Sequence, residues 1–378
     1  MSTTSSLRAV LPLAVALVGC GGRYGGTPPD HPRAPASAGD PAGGAAAAPA
    51  GGIEAAALPY QIVDVRTGKS VDEAAFWARL GAARAVCIGE EHPNPHDHWV
   101  QLHVVRELTS RLPKGTALAL AMEMFQRPFQ GVLDDYAAHK IDAATLRSRS
   151  GYADRWGYDY GFYGPTIDAA VGGGAQLLAA NAAKELTKKV SHQGLDKLTA
   201  EERAQLPELR LDVAAHRAWF DALMESMGGS AAHGRREDSS GAAAEPAAKP
   251  ADKDKAADKA KAPPAKAHGD GAAEMPSAER IYTVQVIWDE TMADTGARWL
   301  VAHPGGHLVV LAGNGHCHDS AIVGRLKRRG VTDAISVRGV IDDGEGSVAD
   351  VLAKPIHDYA LVLQMPPGVQ KADGERAE

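Results

Sequence analysis

Residues 87–103, CIGEEHPNPHDHWVQLH, hold four histidines, two glutamates and an aspartate directly after an apolar run. Imidazole and carboxylate side chains are the groups that ligate metal ions and move protons near neutral pH. Two more apolar runs lead into residues of the same kind. AMEMF carries Glu123, and GNGHCH carries Asn314, His316 and His318. Glu90, His92, Glu123 and His316 could therefore form a metal site or an acid/base cluster, with His96 and His98 nearby. A lone glutamate after a strand more often caps a helix or faces solvent. Chemistry requires that the three strand ends converge, as they do where open α/β sheets bind ligands beyond the carboxyl ends of their strands. A further segment, RWGYDYGFYGP, gathers Trp156, Tyr158, Tyr160, Phe162 and Tyr163 among glycines.

These residues need a scaffold. VCIGE (86–90), TALALAMEMF (116–125), AQLLAAN (175–181), the start of GHLVVLAGNGHCH (306–318), AISVRGV and YALVLQM read as strands. Helical spacing puts Val100, Val104, Leu108 and Leu112 on one face of residues 98–112. AAKELTKKV is a helix, and residues 277–303 are a long one with Ser277 as N-cap. AIVGRLKRRG is a helix closed by Gly330. The alternation predicts an α/β fold with a mostly parallel sheet flanked by helices. Residues 125–173 contain no strand. Residues 195–227 read as amphipathic helix with Leu198, Leu206, Leu211, Trp219, Leu223 and Met227 as apolar contacts. Together they predict a small helical subdomain over about 125–227.

The chain of 378 residues carries a formal charge of −7, which disfavours nucleic acid as a partner. Residues 1–20 contain one early cation, Arg8, a short apolar core and then Leu17, Val18, Gly19 and Cys20. That pattern predicts an export signal with a bacterial lipobox, so that Cys20 is acylated and holds the protein on a membrane. The expected location is the periplasmic face of the outer membrane. Residues 21–52 read as a flexible tether. Residues 228–278 have nearly balanced charge and almost no large apolar side chains, the composition of a disordered insert. The folded domain is expected over 53–227 and 279–365, followed by a tail at 366–378. Besides Cys20, only Cys87 and Cys317 remain. Export would allow them to pair; the favoured reading is two small buried hydrophobes.

At these residues the sequence resembles the ChaN-like haem-binding lipoproteins. Gly89-Glu90-Glu91-His92 is similar to their Gly-Glu-x-His motif, and Glu123 to their second acidic position. Trp156 to Tyr163-Gly164-Pro165 resembles their Trp-to-Tyr-x-Pro segment. QVIWDETMA (285–293) resembles their Gln-x-x-x-Asp-x-x-Met-Ala helix, and VVLAGNGHC their last strand. The matches run in order over about 85–320. The resemblance implies haem bound with its iron held by a tyrosine, whose position corresponds best to Tyr163. Pro165 fixes its own φ and biases Gly164 away from helix, which places Tyr163 on an extended turn before a helix starting near Thr166, where Phe162, Tyr160 and Trp156 can cover the porphyrin. Tyr158 and Tyr160 compete for the ligand role. The resemblance also implies a homodimer with haem between protomers, and iron uptake with an outer-membrane receptor as partner. The family lies in a wider group with TIKI-type metalloproteases and erythromycin esterases, which use a similar Glu/His set for hydrolysis. The alternative is therefore a protease or esterase that uses Glu90, His92, Glu123 and His316 with a divalent metal.

Overall fold

The computed structural model describes residues 58–233 and 276–364. Cys20, the export signal, the tether, most of the insert and the tail lie outside the described residues. In chain order the elements begin with β1 (Tyr60–Asp64), β2 (Lys69–Ser70), α1 (Glu73–Ala82), β3 (Ala85–Glu90), α2 (Pro95–Arg111) and β4 (Leu118–Gln126). Four short helices follow: α3 (Gln130–Ala137), α4 (Ala143–Ser150), α5 (Tyr152–Arg155) and α6 (Gly164–Gly172). Then come β5 (Gln176–Asn181), α7 (Lys184–Gln193), α8 (Ala200–Ala204), α9 (Ala214–His233) and α10 (Ala278–Ala302). The last elements are β6 (His307–Gly313), α11 (Ile322–Arg328), β7 (Ala334–Asp342), α12 (Ser347–Ala353) and β8 (Tyr359–Gln364).

The strands form one sheet in the order β2-β1-β8-β7-β3-β6-β4-β5. The six strands from β8 to β5 are parallel, and β1 and β2 continue the sheet antiparallel at one edge. The expected mostly parallel sheet and the helical subdomain after β4 are both present. No helix among the described residues is long and apolar enough to cross a membrane.

Side chains alternate across the strands and build two cores. On one face, Val86, Ile88, Leu120, Met122, Val309 and Leu311 pack with Phe76, Leu80, Val100, Val104 and Leu108 of α1 and α2. On the other, Ala85, Cys87, Ala119, Ala121 and Val310 pack with Met292, Ala293 and Ala297 of α10 and Ile322 and Leu326 of α11. Small residues let α10 lie close: a Cβ at Gly296 would come within 2.5 Å of Leu308 Cδ2.

Ser277 caps α10 through Arg280 N, as its spacing suggested. Several expectations need correction. Cys87 and Cys317 form a disulfide with Cα atoms 5.3 Å apart, rather than standing as separate thiols. Cys87 faces the α10 layer from β3, and the loop after β6 folds back beneath it. Residues 195–227 are not one helix. A capping box at Thr199 and Glu202 starts the short α8, an extended stretch containing Pro207 follows, and α9 begins only at Ala214. Pro207 cannot supply the amide that a continuous helix needs. Leu211 and Leu223, expected as packed contacts, are 38% and 40% exposed. In addition, α9 continues to His233, through the first six residues of the span 228–278 expected as insert.

Candidate functional site

Each carboxylate of the expected cluster leaves the sheet on a different face. Glu90 shares its parity with Val86 and Ile88 and points beneath α2. Glu123 shares its parity with Ala119 and Ala121 and points toward α10. Both are buried, at 2% and 5% exposure. The strand ends therefore carry two separate carboxylate–histidine pairs, brought together over the backbone of Gly313.

In the first pair, Glu90 Oε1 lies 2.7 Å from His92 Nδ1. The same oxygen accepts from the Tyr163 hydroxyl at 2.8 Å, and Oε2 accepts from Gln101 Nε2 at 2.7 Å. His98 Nδ1 stands 3.4 Å from Oε2. Burial opposes a charge on His92, but the Glu90 hydrogen bond and the nearby Glu123 carboxylate raise its pKa above the ordinary value.

In the second, His316 Nε2 stands 3.3 Å from Glu123 Oε1, and its Nδ1 lies 2.6 Å from Asp289 Oδ1. Glu123 Oε2 accepts from the Gly313 amide at 2.8 Å. Asp289 Oδ2 lies 3.0 Å from His216 Nε2 and 3.5 Å from Arg325 Nη1. Burial works against charge on His316, yet Glu123 and Asp289 outweigh it and push the imidazole up to about 10. Glu123 and Asp289 are buried too, which works against their charge, but His316 holds Glu123, and Arg325 with His316 holds Asp289, below the usual carboxylate range. Two nearby carboxylates raise one another unless cations stand beside them; His316 and, with a smaller effect, His92 are those cations for Glu123.

The pairs meet at one point. A Cβ built on Gly313 would lie 3.1 Å from His92 Cε1 and 3.7 Å from His316 Cδ2. A side chain there would crowd the His92 ring, whereas the His316 contact would be an ordinary one. Glu90, His92, Glu123 and His316 thus converge. The divalent-metal expectation fares differently: among the described residues no group of three or more His, Cys, Asp or Glu side chains is arranged to hold a metal ion.

His92, Glu123 and His316 open onto a pocket of about 330 Å³. Trp156, Tyr158 and Trp288 supply aromatic walls, and Arg155 and Lys184 bring cationic side chains to its rim. The Tyr158 ring centroid is 4.8 Å from His92 and 5.5 Å from Trp156, and the residue is 38% exposed. Tyr160 does not line this pocket; it packs on Tyr152 at 5.4 Å.

Tyr163 departs furthest from expectation. It is fully buried, its backbone is helical at φ −105° and ψ −31°, and α6 starts immediately after it. Pro165 was expected to keep Gly164 extended, but a proline is tolerated in the first turn of a helix. Gly164 also packs tightly: a Cβ there would lie 2.9 Å from the Tyr160 ring. Burial and the Glu90 carboxylate push the Tyr163 phenol far up, so it stays protonated and holds Glu90 in place. The other histidines serve locally. His98 stacks on Phe162 at 4.6 Å, His103 stacks on Trp99 at 4.8 Å, and His318 packs against Trp219 at 4.6 Å. Asp289, Gln101 and Gln285 had no assigned role. The signal for Asp289 was an acid at core spacing on an apolar helix, between Val286 and Met292.

A family described as haem-binding uptake, Tiki superfamily, ChaN, matches residues 76–326. Among solved structures, the ChaN of Campylobacter jejuni with cofacially bound haem is similar at 14% identity and a TM-score of 0.53, over 81% of this chain and 97% of that one. The type III effector HopBA1 aligns at 11% identity and a TM-score of 0.37, over 77% and 92% of the two chains. An erythromycin esterase in its open conformation aligns at 10% identity and a TM-score of 0.37, over 81% and 83%. No curated protein matches. The family match spans two thirds of the sequence, including both carboxylate–histidine pairs and the aromatic segment, and the chain belongs to the ChaN haem-binding family of the Tiki superfamily.

Proposed function

We propose that this chain is a haem-binding lipoprotein that takes part in iron uptake, with Tyr158 rather than Tyr163 as the phenol offered to haem iron. The observation that carries this is the half-exposed Tyr158 beside His92 and Trp156 at the mouth of the pocket. The residues suit the group. Trp156 and Trp288 present apolar faces to a porphyrin, and Arg155 and Lys184 match anionic propionates. Phenolate is an established axial ligand for haem iron, and the bound group would supply the iron chemistry. His92 borders the same opening and, backed by Glu90, presents a polar group beside it. Tyr163 acts one layer deeper by holding Glu90. Cofacial binding in the Campylobacter jejuni protein supports a homodimer with haem at the contact. Acylated Cys20 would tether the domain at the periplasmic face of the outer membrane, where a receptor for iron uptake is the natural partner.

Haemin titration of the full chain, followed by absorption, tests this. Wild type should develop a saturable Soret band with the charge-transfer features of phenolate-bound ferric iron. Tyr158→Phe should lose those features, and Tyr163→Phe should keep them. Absence of a haemin-dependent spectrum in wild type refutes the haem assignment; loss in Tyr163→Phe alone returns the ligand role to Tyr163.

A second reading, hydrolysis, rests on His92. Its Nδ1 is engaged by Glu90 while the ring borders the pocket, the arrangement of an oriented general base. His316 is held protonated between two carboxylates and would act as a fixed cation. Ester turnover that disappears in His92→Ala and needs no haem would establish this reading.

A further inference from the structure

A separate cavity of about 380 Å³ opens between the carboxyl ends of β3 and β7. Its position follows from topology. The chain leaves β3 toward β4 on one side and leaves β7 toward β8 on the other, so the connections from these adjacent strands diverge. Divergence opens a crevice between the helices that follow, the usual place for ligands in open α/β sheets. Both α2 and α12 pack against β7 around it.

Two polar side chains of opposite kind, the buried Asp97 and the partly buried Arg338, line this cavity and form no ion pair with each other. Asp97 is 2% exposed. Its Oδ2 accepts from the Glu91 amide at 2.7 Å, and its Oδ1 has no hydrogen bond among the described residues. Arg338, with 18% of its side chain exposed, donates Nε to its neighbour's carbonyl at Gly339, 3.2 Å away. Its nearest carboxylate is the exposed Glu91, at 3.9 Å. A mostly shielded guanidinium is stabilised by a close carboxylate; Arg338 has only this one long ion pair to an exposed acid. Gly339 is the pivot: a Cβ there would lie 2.2 Å from Asp97 Oδ1, so only glycine lets the acid reach the cavity floor. Val340, Ile341, Val351 and Ile356 supply the remaining wall, and Lys354 and Asp350 at the rim offset each other.

We propose that this cavity binds a small aliphatic carboxylate, its anionic group held between Arg338 and Asp97 and its hydrocarbon body against the aliphatic wall. Burial pushes Asp97 up to about 8, so at neutral pH it carries a proton to donate to the anion. A phosphate would satisfy the same two donors and leave the aliphatic wall unused.

Calorimetric titration of the full chain with isovalerate, and separately with inorganic phosphate, tests the assignment. Isovalerate should bind saturably, and Arg338→Gln should weaken it by about ten-fold or more, as expected for loss of a charged hydrogen bond. Asp97→Asn keeps a donor and should retain binding. Because Arg338→Gln could unfold the strand end, Val351→Trp provides a second arm. It fills the cavity from the partly exposed α12, leaves both polar groups intact and should also abolish binding. No saturable isovalerate binding up to about 10 mM, equal binding in folded Arg338→Gln, or binding of phosphate but not isovalerate would each overturn the proposal.

Discussion

Replacing His316 with Gln removes one buried cation from between two buried carboxylates and leaves a side chain of similar reach. Asp289 keeps Arg325 at 3.5 Å and His216 at 3.0 Å, whereas Glu123 keeps the Gly313 amide and loses its adjacent cation. The rise of the imidazole from 6.5 to about 10 corresponds to about 4–5 kcal/mol of coupling. Breaking a buried pair by deleting one partner costs about 3–5 kcal/mol, and the two magnitudes agree. For a domain of this size that is a fall in Tm of roughly 6–20 °C. The pH dependence is the sharper test. A histidine raised in the folded state contributes fully below its unfolded value of 6.5, and that contribution is lost as pH rises through about 10. Glu123 and Asp289 are depressed, so their contributions are present above the unfolded values of 4.5 and 3.8 and are lost as pH falls. The gap between wild type and His316→Gln should therefore be widest between about pH 4.5 and 6.5 and shrink by roughly 3 kcal/mol by pH 9. Urea unfolding followed by circular dichroism at pH 6 and pH 9 measures it. A gap under about 1 kcal/mol at pH 6, or one unchanged at pH 9, would show that His316 is not the cation described.

Gly313→Ala should push the His92 ring aside, because the new methyl would sit 3.1 Å from Cε1, and cost about 1 kcal/mol. A shift of the His92 resonances in the NMR spectrum checks it. Removing the disulfide with Cys87→Ala and Cys317→Ala, which opens a loop spanning 230 residues, should cost about 4–5 kcal/mol in thermal or urea unfolding. On the lipoprotein proposal, Cys20→Ser should release the protein from membranes into the soluble fraction; unchanged membrane association would rule out lipid at that residue.

Much of the scaffold was legible because it depends on local pattern. Six apolar runs of strand length, separated by helical spacing, specify alternating elements, and Ser277 before a long apolar stripe marks where α10 begins. Glu90, His92, Glu123 and His316 were legible as a group because each follows the end of an apolar run. The edge strand β1 and the helices α1 and α12 carry no comparably strong signal and were not anticipated. Residues 195–227 were misjudged because leucines at near-helical spacing outweighed Pro207, though one missing amide suffices to end a helix.

Strand parity is written in the sequence, so the placement of Glu90 and Glu123 on opposite faces of the sheet was in principle determined there. Which histidine serves which carboxylate was not. That depended on the order of β3, β6 and β4 and on Gly313 letting two rings meet over its Cα. The different burial of Tyr158 and Tyr163 has the same origin. Both are phenols in one aromatic segment, and only the packing of α6 against α2, β4 and β5 buries one against Glu90 and leaves the other lining the pocket. The Cys87–Cys317 bond and the Asp289–His316 pair also join residues far apart in the chain. Residue type and spacing determine what chemistry a chain carries; burial and pairing are properties of the surroundings, and only the assembled sheet with its helices supplies those.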